Sequence, residues 1–329
     1  KLVNFSMLTL VVACLLAVYG PSCVAGLDYF VSPNGSDTTG VGSVAQPFRS
    51  LRMALIHVPA NVPSSVVLFQ GQYTGEALLV IHNMKYLNIT AISSDPSDTV
   101  FEGHGARFFL RLQSSTVRLQ GFTIRGYTVS TLSVQSDTIV TLSTMSFENN
   151  PGSLMSSGVF DCSHSNFFNN TGALVLTGGA SRTSITNSTF RNNLATCSGG
   201  AIYVGPDVPV VSLFGSTFSQ NSVLKGTLAQ ICGGGAIAVH GKYEADALTE
   251  RPLLTLDNCL FSWNSASFEN GGAVLQSGSG SVLARNTTFR GNYARTGGAL
   301  MVVAATLVNV TMQENFAVLF GGAAAFSSP

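Results

Sequence analysis

Short stretches in which apolar and polar residues alternate recur along much of the chain. Residues 211–213, 254–256 and 282–284 each place apolar side chains at alternate positions shortly before a phenylalanine. Alternation with a period of two is typical of a β-strand that has one buried face. Each stretch is too short to bury its own apolar face, so neighbouring copies must stack on one another.

Two motifs mark the repeat and alternate strictly from Phe167 onward. Phe-x-x-Asn begins at Phe147, Phe167, Phe190, Phe218, Phe261 and Phe289, and a seventh copy begins at Met312. Gly-Gly-Ala followed by an apolar residue begins at Gly199, Gly234, Gly271, Gly297 and Gly321, and a reduced copy begins at Gly172. Successive Phe positions are 20 to 43 residues apart. A coil of strands tolerates such variation because insertions fall in its loops, so we predict a parallel β-helix of about ten coils.

A column of asparagines appears when the copies are aligned on the phenylalanine. The residues three positions before it are Asn187, Gly215, Asn258, Asn286 and Asn309. We predict that these asparagines form a ladder of stacked amides, since each amide can both donate and accept hydrogen bonds. Ordinary loop asparagines are the alternative.

Six Asn-x-Ser/Thr sequons are possible glycan acceptors if the host is eukaryotic. They lie at Asn34, Asn88, Asn169, Asn187, Asn286 and Asn309. Three of them belong to the predicted ladder and are expected to be buried. Asn34 and Asn169 are therefore the better candidate acceptors.

The combination of motifs over residues 147–324 resembles the repeats of chlamydial polymorphic outer membrane proteins. Residues 29–37 and 46–51 resemble the N-terminal segment of pectin-lyase-like right-handed β-helices. These resemblances imply an all-β fold, a single-stranded right-handed parallel β-helix, with a short cap helix at its N-terminal end. Residues 50–58 fit that helix, which would cover an otherwise exposed terminal coil.

The first residues predict a secretory signal. Lys1 precedes a twelve-residue apolar run at 7–18, and small residues follow up to Ala25. The run is too short to span a membrane, and no other segment is long enough. We therefore expect a signal peptide at 1–25, the cap and first strands at 26–80, and β-helix repeats at 81–329. A Gly-Gly-Ala motif close to Pro329 suggests that the repeats are truncated there.

The cysteines point to one disulfide. Cys197 and Cys232 each stand four residues before the Ala of a Gly-Gly-Ala motif, in consecutive copies. Stacked strands are about 4.8 Å apart, which suits a disulfide, and secretion favours its formation. Cys162 and Cys259 occupy different columns, so we expect them not to pair with each other.

The low and balanced charge of the chain argues against nucleic-acid binding. Only 10% of residues are charged and the net charge is zero, so no basic surplus is available for nucleic acid. Glycine is enriched, with 34 residues, and the five Gly-Gly-Ala motifs account for most of the surplus.

Residues suited to catalysis do not form a recognisable arrangement. Hydrolysis requires a close pair of carboxylates, and lyases require calcium-binding carboxylates with a basic residue. Asp161 and Asp257 stand at different offsets on distant coils. The sequence Gly103-His104-Gly105 is similar to a polygalacturonase motif but has no acidic companions, and a glycine turn explains it better. We predict no catalytic residue, metal ligand or cofactor.

A charged loop is the candidate binding element. Residues 240–252 concentrate charge in a charge-poor chain, and the loop should stack beside residues 205–207 and 278–280 on one side of the solenoid. Its candidate contact residues are His240, Lys242, Tyr243, Glu244, Asp246, Glu250 and Arg251. A solvated insertion is the competing interpretation.

Together these observations favour a secreted or cell-surface protein with a structural or adhesive role. It would bind a glycan or a surface protein without catalysing a reaction. The alternative is a pectin-lyase-like carbohydrate-active enzyme, such as a polysaccharide lyase, hydrolase or epimerase.

Overall fold

The protein is a right-handed parallel β-helix. The computed structural model describes residues 26–178, 182–224, 232–241 and 253–327. In this part of the chain the strands form four sheets, and neighbouring strands within each sheet run parallel. The predicted all-β solenoid is confirmed.

Each sheet collects the equivalent strands of successive coils. Sheet 1 contains Leu27–Val31, Ser64–Leu68, Leu87–Ala91, Thr116–Gln120, Ile139–Ser143, Val159–Ser163, Thr183–Thr186, Val210–Phe214, Leu253–Asp257, Ser281–Arg285 and Ala305–Val308. Sheet 2 contains Gly71–Thr74, Thr99–Glu102, Thr123–Arg125, Ser146–Glu148, Asn166–Phe168, Thr189–Arg191, Thr217–Ser219, Leu260–Ser262, Thr288–Arg290 and Thr311–Gln313. Sheet 3 contains Leu79–His82, Phe108–Gln113, Ser130–Val134, Ser153–Ser156, Leu174–Leu176, Ile202–Val204, Ile237–His240, Val274–Ser277, Leu300–Val302 and Ala324–Phe326. The shorter sheet 4 contains Leu194–Ala195, Ser222–Val223, Ser265–Asn270, Tyr293–Thr296 and Phe316–Phe320.

A short helix covers the N-terminal end, as predicted. It runs over Leu51–His57, and the hydroxyl of Ser50 accepts a hydrogen bond from the backbone N–H of Met53 at 3.1 Å. This contact satisfies one of the free donors at the helix start. The helix buries Leu51, Ala54 and Leu55 and thereby covers apolar residues of the first coils. A 3₁₀ turn follows at Pro96–Asp98.

The phenylalanines of the Phe-x-x-Asn motif form a continuous stack inside sheet 2. They pair in register from coil to coil, with ring centroids 4.4 to 4.9 Å apart and planes within 13° of parallel. Met312 continues the column beside Phe289. Because the centroid spacing matches the strand spacing, the repeat places one ring on each coil without displacing the backbone.

The asparagines of the same motif form a buried ladder at the next corner. Its members are Asn150, Asn170, Asn193, Asn221, Asn264, Asn292 and Asn315. From Asn170 onward, the Oδ1 atom of each member accepts both the backbone N–H and the side-chain amide of the preceding member at 2.9 to 3.1 Å. Each Nδ2 also donates to a main-chain oxygen of an earlier coil, such as that of Phe167 for Asn193. The buried polar groups are thus paired, as a stable interior requires.

Of the ladder predicted three positions before the phenylalanine, one link is present, because the amide of Asn309 donates to Oδ1 of Asn286 at 2.9 Å. The amide of Asn286 donates to Asp257 instead of Asn258, so the prediction of a continuous buried ladder is wrong. Asn187, Asn258, Asn286 and Asn309 are exposed, and φ lies between 47° and 54° at all four. This column is a surface turn with left-handed backbone, which asparagine and glycine adopt more readily than other residues. The expected burial of the sequons at Asn187, Asn286 and Asn309 is wrong for the same reason.

The Gly-Gly-Ala motif marks a turn that has no room for side chains. At Gly199 the backbone is left-handed, with φ of 61°. A Cβ atom on Gly200 would lie 2.2 Å from the carbonyl oxygen of Gly235 in the next coil. The recurring glycines are therefore required by close backbone stacking, and Ala201 after them is fully buried.

Candidate binding face

The candidate site lies on the outer side of sheet 2, where the chain turns toward the asparagine ladder. The residue two positions after each phenylalanine has left-handed backbone, with φ between 52° and 63°. We call these residues the turn column: Asn149, Asn169, Asn192, Gln220, Trp263, Gly291 and Glu314. The column runs along the solenoid with one residue per coil, about 4.8 Å apart.

Trp263 is the exception in a column of polar residues and glycine. It is the single tryptophan of the chain, and its surface is 58% exposed. Its backbone N–H donates to the carbonyl oxygen of Arg290 at 3.0 Å, so the turn is held to the next coil. The turn gives positive φ on every coil of the turn column, and this backbone conformation is unfavourable for a bulky side chain.

The indole lies directly over Gly291 of the next coil. A Cβ atom at residue 291 would be 2.6 to 2.8 Å from three atoms of the six-membered ring of Trp263. Only glycine leaves room for the ring at this position. Because Gly291 has no side chain, the indole of Trp263 can pack directly against the backbone of the turn.

Polar side chains lie on both sides of the indole along the column. On the preceding coil, Gln220 accepts a hydrogen bond from Nε of Arg191 at 3.2 Å. On the following coils, Nε of Arg290 lies 3.1 Å from a carboxylate oxygen of Glu314. The strand register places Ser219 and Ser262 between Arg191 and Arg290, so small hydroxyl side chains separate the two guanidinium groups. The resulting surface, which we call the Trp263 face, combines one aromatic ring with amide, hydroxyl and guanidinium groups.

Sequence reasoning missed this face although the signal was present. The informative positions follow the phenylalanine rather than precede it. The column two positions after it reads Asn, Asn, Asn, Gln, Trp, Gly and Glu. The aromatic residue followed by glycine breaks the polar pattern of this column, and the structure shows that the ring packs on that glycine.

The charged loop falls largely outside the described residues. Lys242, Tyr243, Glu244, Asp246, Glu250 and Arg251 all lie outside them. His240 at the start of the loop is described. Its Nδ1 is 2.9 Å from Oγ of Ser277, its Nε2 is 3.3 Å from Oγ of Ser198, and its ring lies 5.4 Å from that of Tyr203. Burial lowers the pKa of His240, which favours the neutral imidazole in this hydroxyl cluster.

The cysteines adopt the expected arrangement. Cys197 and Cys232 form a disulfide with a Cα–Cα distance of 4.9 Å. Cys162 and Cys259 are free and buried, and burial raises the pKa of each thiol to about 11. Unreactive thiols of this kind fill space in the core.

A cleft at the cap holds two carboxylates with structural roles. It measures about 280 Å³ and is lined in part by Asp37 and Glu76. Asp37 accepts the backbone N–H groups of Arg49 and Ser50, at 2.9 and 3.0 Å, and Glu76 accepts that of Leu51. Burial raises the pKa of Glu76, and the backbone hydrogen bonds partly offset this effect. Both carboxylates thus bind the start of the cap helix.

The remaining candidates are surface residues. Asn34 and Asn169 are exposed, and the amide of Asn169 donates to Oδ1 of Asn149 at 2.7 Å. His104 of the Gly-His-Gly sequence is exposed on a left-handed turn.

Among the described residues, no helix is long and apolar enough to cross a membrane. In the same part of the chain, no three His, Cys, Asp or Glu residues are grouped so that they could hold a metal ion.

Residues 187–205 match the family model of the Chlamydia polymorphic membrane protein repeat. The segment contains one Phe-x-x-Asn and one Gly-Gly-Ala motif, which confirms the resemblance seen in the sequence. No curated protein matches the chain.

Three solved structures show similar coiling at low identity. A rhamnogalacturonan lyase is 15% identical over 85% of this chain and 82% of its own, with a TM-score of 0.44. The catalytic unit of a thermostable GH87 alpha-1,3-glucanase from Streptomyces thermodiastaticus strain HF3-3 is 16% identical over 91% of this chain and 65% of its own, with a TM-score of 0.39. The A-module of a mannuronan C-5 epimerase from Azotobacter vinelandii is 11% identical over 80% of this chain and 91% of its own, with a TM-score of 0.33. At these scores the likenesses carry no argument about activity.

Proposed function

We propose that this chain is a secreted or cell-surface β-helix protein that binds a glycan or a protein partner without chemistry. The observation that carries the proposal is the Trp263 face. It presents an exposed indole and polar side chains on the outer side of sheet 2. A surface of this kind is suited to binding a partner. Its role is structural or adhesive.

Two features support the surface location. The repeat at residues 187–205 matches one named for a membrane protein of Chlamydia, which fits an outer-membrane or surface location. The disulfide between Cys197 and Cys232 suits an oxidising compartment, where secreted proteins fold. The signal peptide proposed at residues 1–25 lies outside the described part of the chain.

The rigidity of the face is the physical basis for recognition. The phenylalanine stack and the asparagine ladder lie directly beneath and beside it, so its side chains are mounted on regular strands. A rigid surface loses little conformational entropy when a partner binds. The proposal needs no group on this face to donate or remove a proton.

Paired screens test the proposal. The secreted protein is applied to an array of immobilised glycans and to intact host cells, and it is incubated separately with plant, algal and bacterial polysaccharides. We expect saturable binding to glycans or cells and no release of sugars. Release of unsaturated or reducing sugars would contradict the proposal and favour a carbohydrate-active enzyme. The absence of binding in both assays, to the glycans and to the cells, would also contradict it.

A further inference from the structure

We propose that the Trp263 face is a subsite for one pyranose ring of a glycan. The ring would stack on the indole of Trp263, and its hydroxyl groups would bond to the polar side chains around it. This inference rests on the proposed binding function and names the ligand class and the residues that contact it.

The orientation of the indole supports stacking. The six-membered ring of Trp263 lies against the backbone of Gly291, which has no side chain to separate them. One side of the indole is therefore supported by the protein, while the residue as a whole is 58% exposed. A flat aromatic surface held in this way matches the apolar C–H side of a pyranose, and little entropy is lost because the ring is already fixed.

The surrounding groups match the polar edge of a sugar. Gln220 offers an amide whose oxygen is held by Arg191, and Arg290 offers guanidinium N–H groups on the other side of the indole. These planar groups are donors and acceptors suited to hydroxyls. The small side chains of Ser219 and Ser262 leave space between the two arginines. Ligand sites combine apolar and polar groups in this way.

Trp263 lowers the stability of its own turn, which also supports a role in ligand binding. A bulky residue at φ of 57° is strained, and its exposure leaves apolar surface in contact with water. Asparagine holds the equivalent place on three other coils and would fit the turn at lower cost. A ligand that stacks on the indole would bury this apolar surface and offset the cost.

The test uses variants that preserve the turn. Trp263→Asn restores the residue type of the other coils, while Gly291→Asn keeps a residue suited to left-handed backbone but occupies the space of the indole. Phe214→Ala is the matched control, because it also removes an exposed aromatic side chain, but one that lies on sheet 1 and outside the Trp263 face. Circular dichroism and thermal unfolding verify that each variant is folded.

The full-length protein and its variants are titrated by calorimetry with oligosaccharides of glucose, mannose, xylose and galacturonate, and with any sugar found on the array. We expect Trp263→Asn and Gly291→Asn to weaken binding at least about tenfold, and Phe214→Ala to leave it unchanged. Equal affinity of the wild type and Trp263→Asn overturns the subsite but leaves the proposed function standing. No binding to any sugar also overturns the subsite, and the cell-binding screen then decides the proposed function.

Discussion

The side-chain amide of Asn193 donates to Oδ1 of Asn221 on the next coil at 3.0 Å. The same oxygen accepts the backbone N–H of Asn193 at 3.0 Å, and the amide of Asn221 donates to the carbonyl oxygen of Phe190. One buried residue therefore satisfies polar groups on two other residues of the preceding coil. The ladder makes the corner between sheets 2 and 4 a fixed part of the solenoid.

Replacing a ladder member should destabilise the protein strongly. Asn221→Ala removes an acceptor for two N–H groups and the donor to two oxygens, the carbonyl oxygen of Phe190 and Oδ1 of Asn264. We expect a loss of about 2 to 4 kcal/mol in the free energy of unfolding, measured by chemical denaturation. Asn192→Gly is the control, because it changes an asparagine of the turn column to a residue that tolerates the same φ. Equal effects of the two substitutions would refute the role of the ladder.

The phenylalanine stack should tolerate shape changes better than loss of volume. Phe218 lies between Phe190 and Phe261, with centroid distances of 4.9 and 4.7 Å. Phe218→Ala leaves a cavity and should cost about 3 to 5 kcal/mol. Phe218→Met should cost less than about 1.5 kcal/mol, since Met312 already occupies this column. Denaturation midpoints of both variants, compared with wild type, measure the difference.

Thiol titration checks both the disulfide and the buried cysteines. A chain beginning at Gly26 contains four cysteines, of which Cys162 and Cys259 are free. Their pKa values are raised to about 11, so only roughly one thiol in a thousand is ionised at pH 8. We expect no reaction with a disulfide reagent in the native state and two reactive thiols after denaturation without reductant. Four reactive thiols would show that Cys197 and Cys232 are not joined.

Glu76 should make the stability of the cap depend on pH. Its pKa is raised by burial, so the folded state binds the proton more tightly than the unfolded state. The stability that this proton provides is present below the ordinary glutamate range and declines as the pH rises through the raised pKa. Glu76→Gln retains an oxygen for the N–H of Leu51 and should lose this decline, measured as denaturation midpoints across pH. A parallel decline in both proteins would count against burial of Glu76 as its cause.

The fold could be predicted because its signal is periodic. Phenylalanine, asparagine and glycine recur at fixed offsets, and each offset corresponds to one corner or strand of the coil. The position of the ladder was predicted wrongly because two columns contain asparagine for different reasons. In the column containing Asn187, glycine also occurs at Gly215, which is the mark of left-handed backbone. In the buried column asparagine is present in all seven copies from Asn150 to Asn315, because only an amide completes the ladder.

The candidate site could not be predicted as readily, because its main residue breaks the repeat. Trp263 departs from the polar residues of its column, and its orientation depends on Gly291, which is distant in sequence but adjacent in the coil. The disulfide, by contrast, followed from motif spacing, since both cysteines stand at one offset on consecutive coils. Residues that obey the repeat can be placed from the sequence, whereas those that depart from it require the structure.

The fluorescence of Trp263 tests the central claim most directly, because every tryptophan photon from this chain comes from that residue. The free protein should show the emission of an exposed indole and ready quenching by acrylamide. Saturation with an oligosaccharide whose binding calorimetry has established should shift the emission and protect the indole from quenching. Binding that leaves both the emission and the quenching of Trp263 unchanged would show that the glycan binds elsewhere and contradict the account.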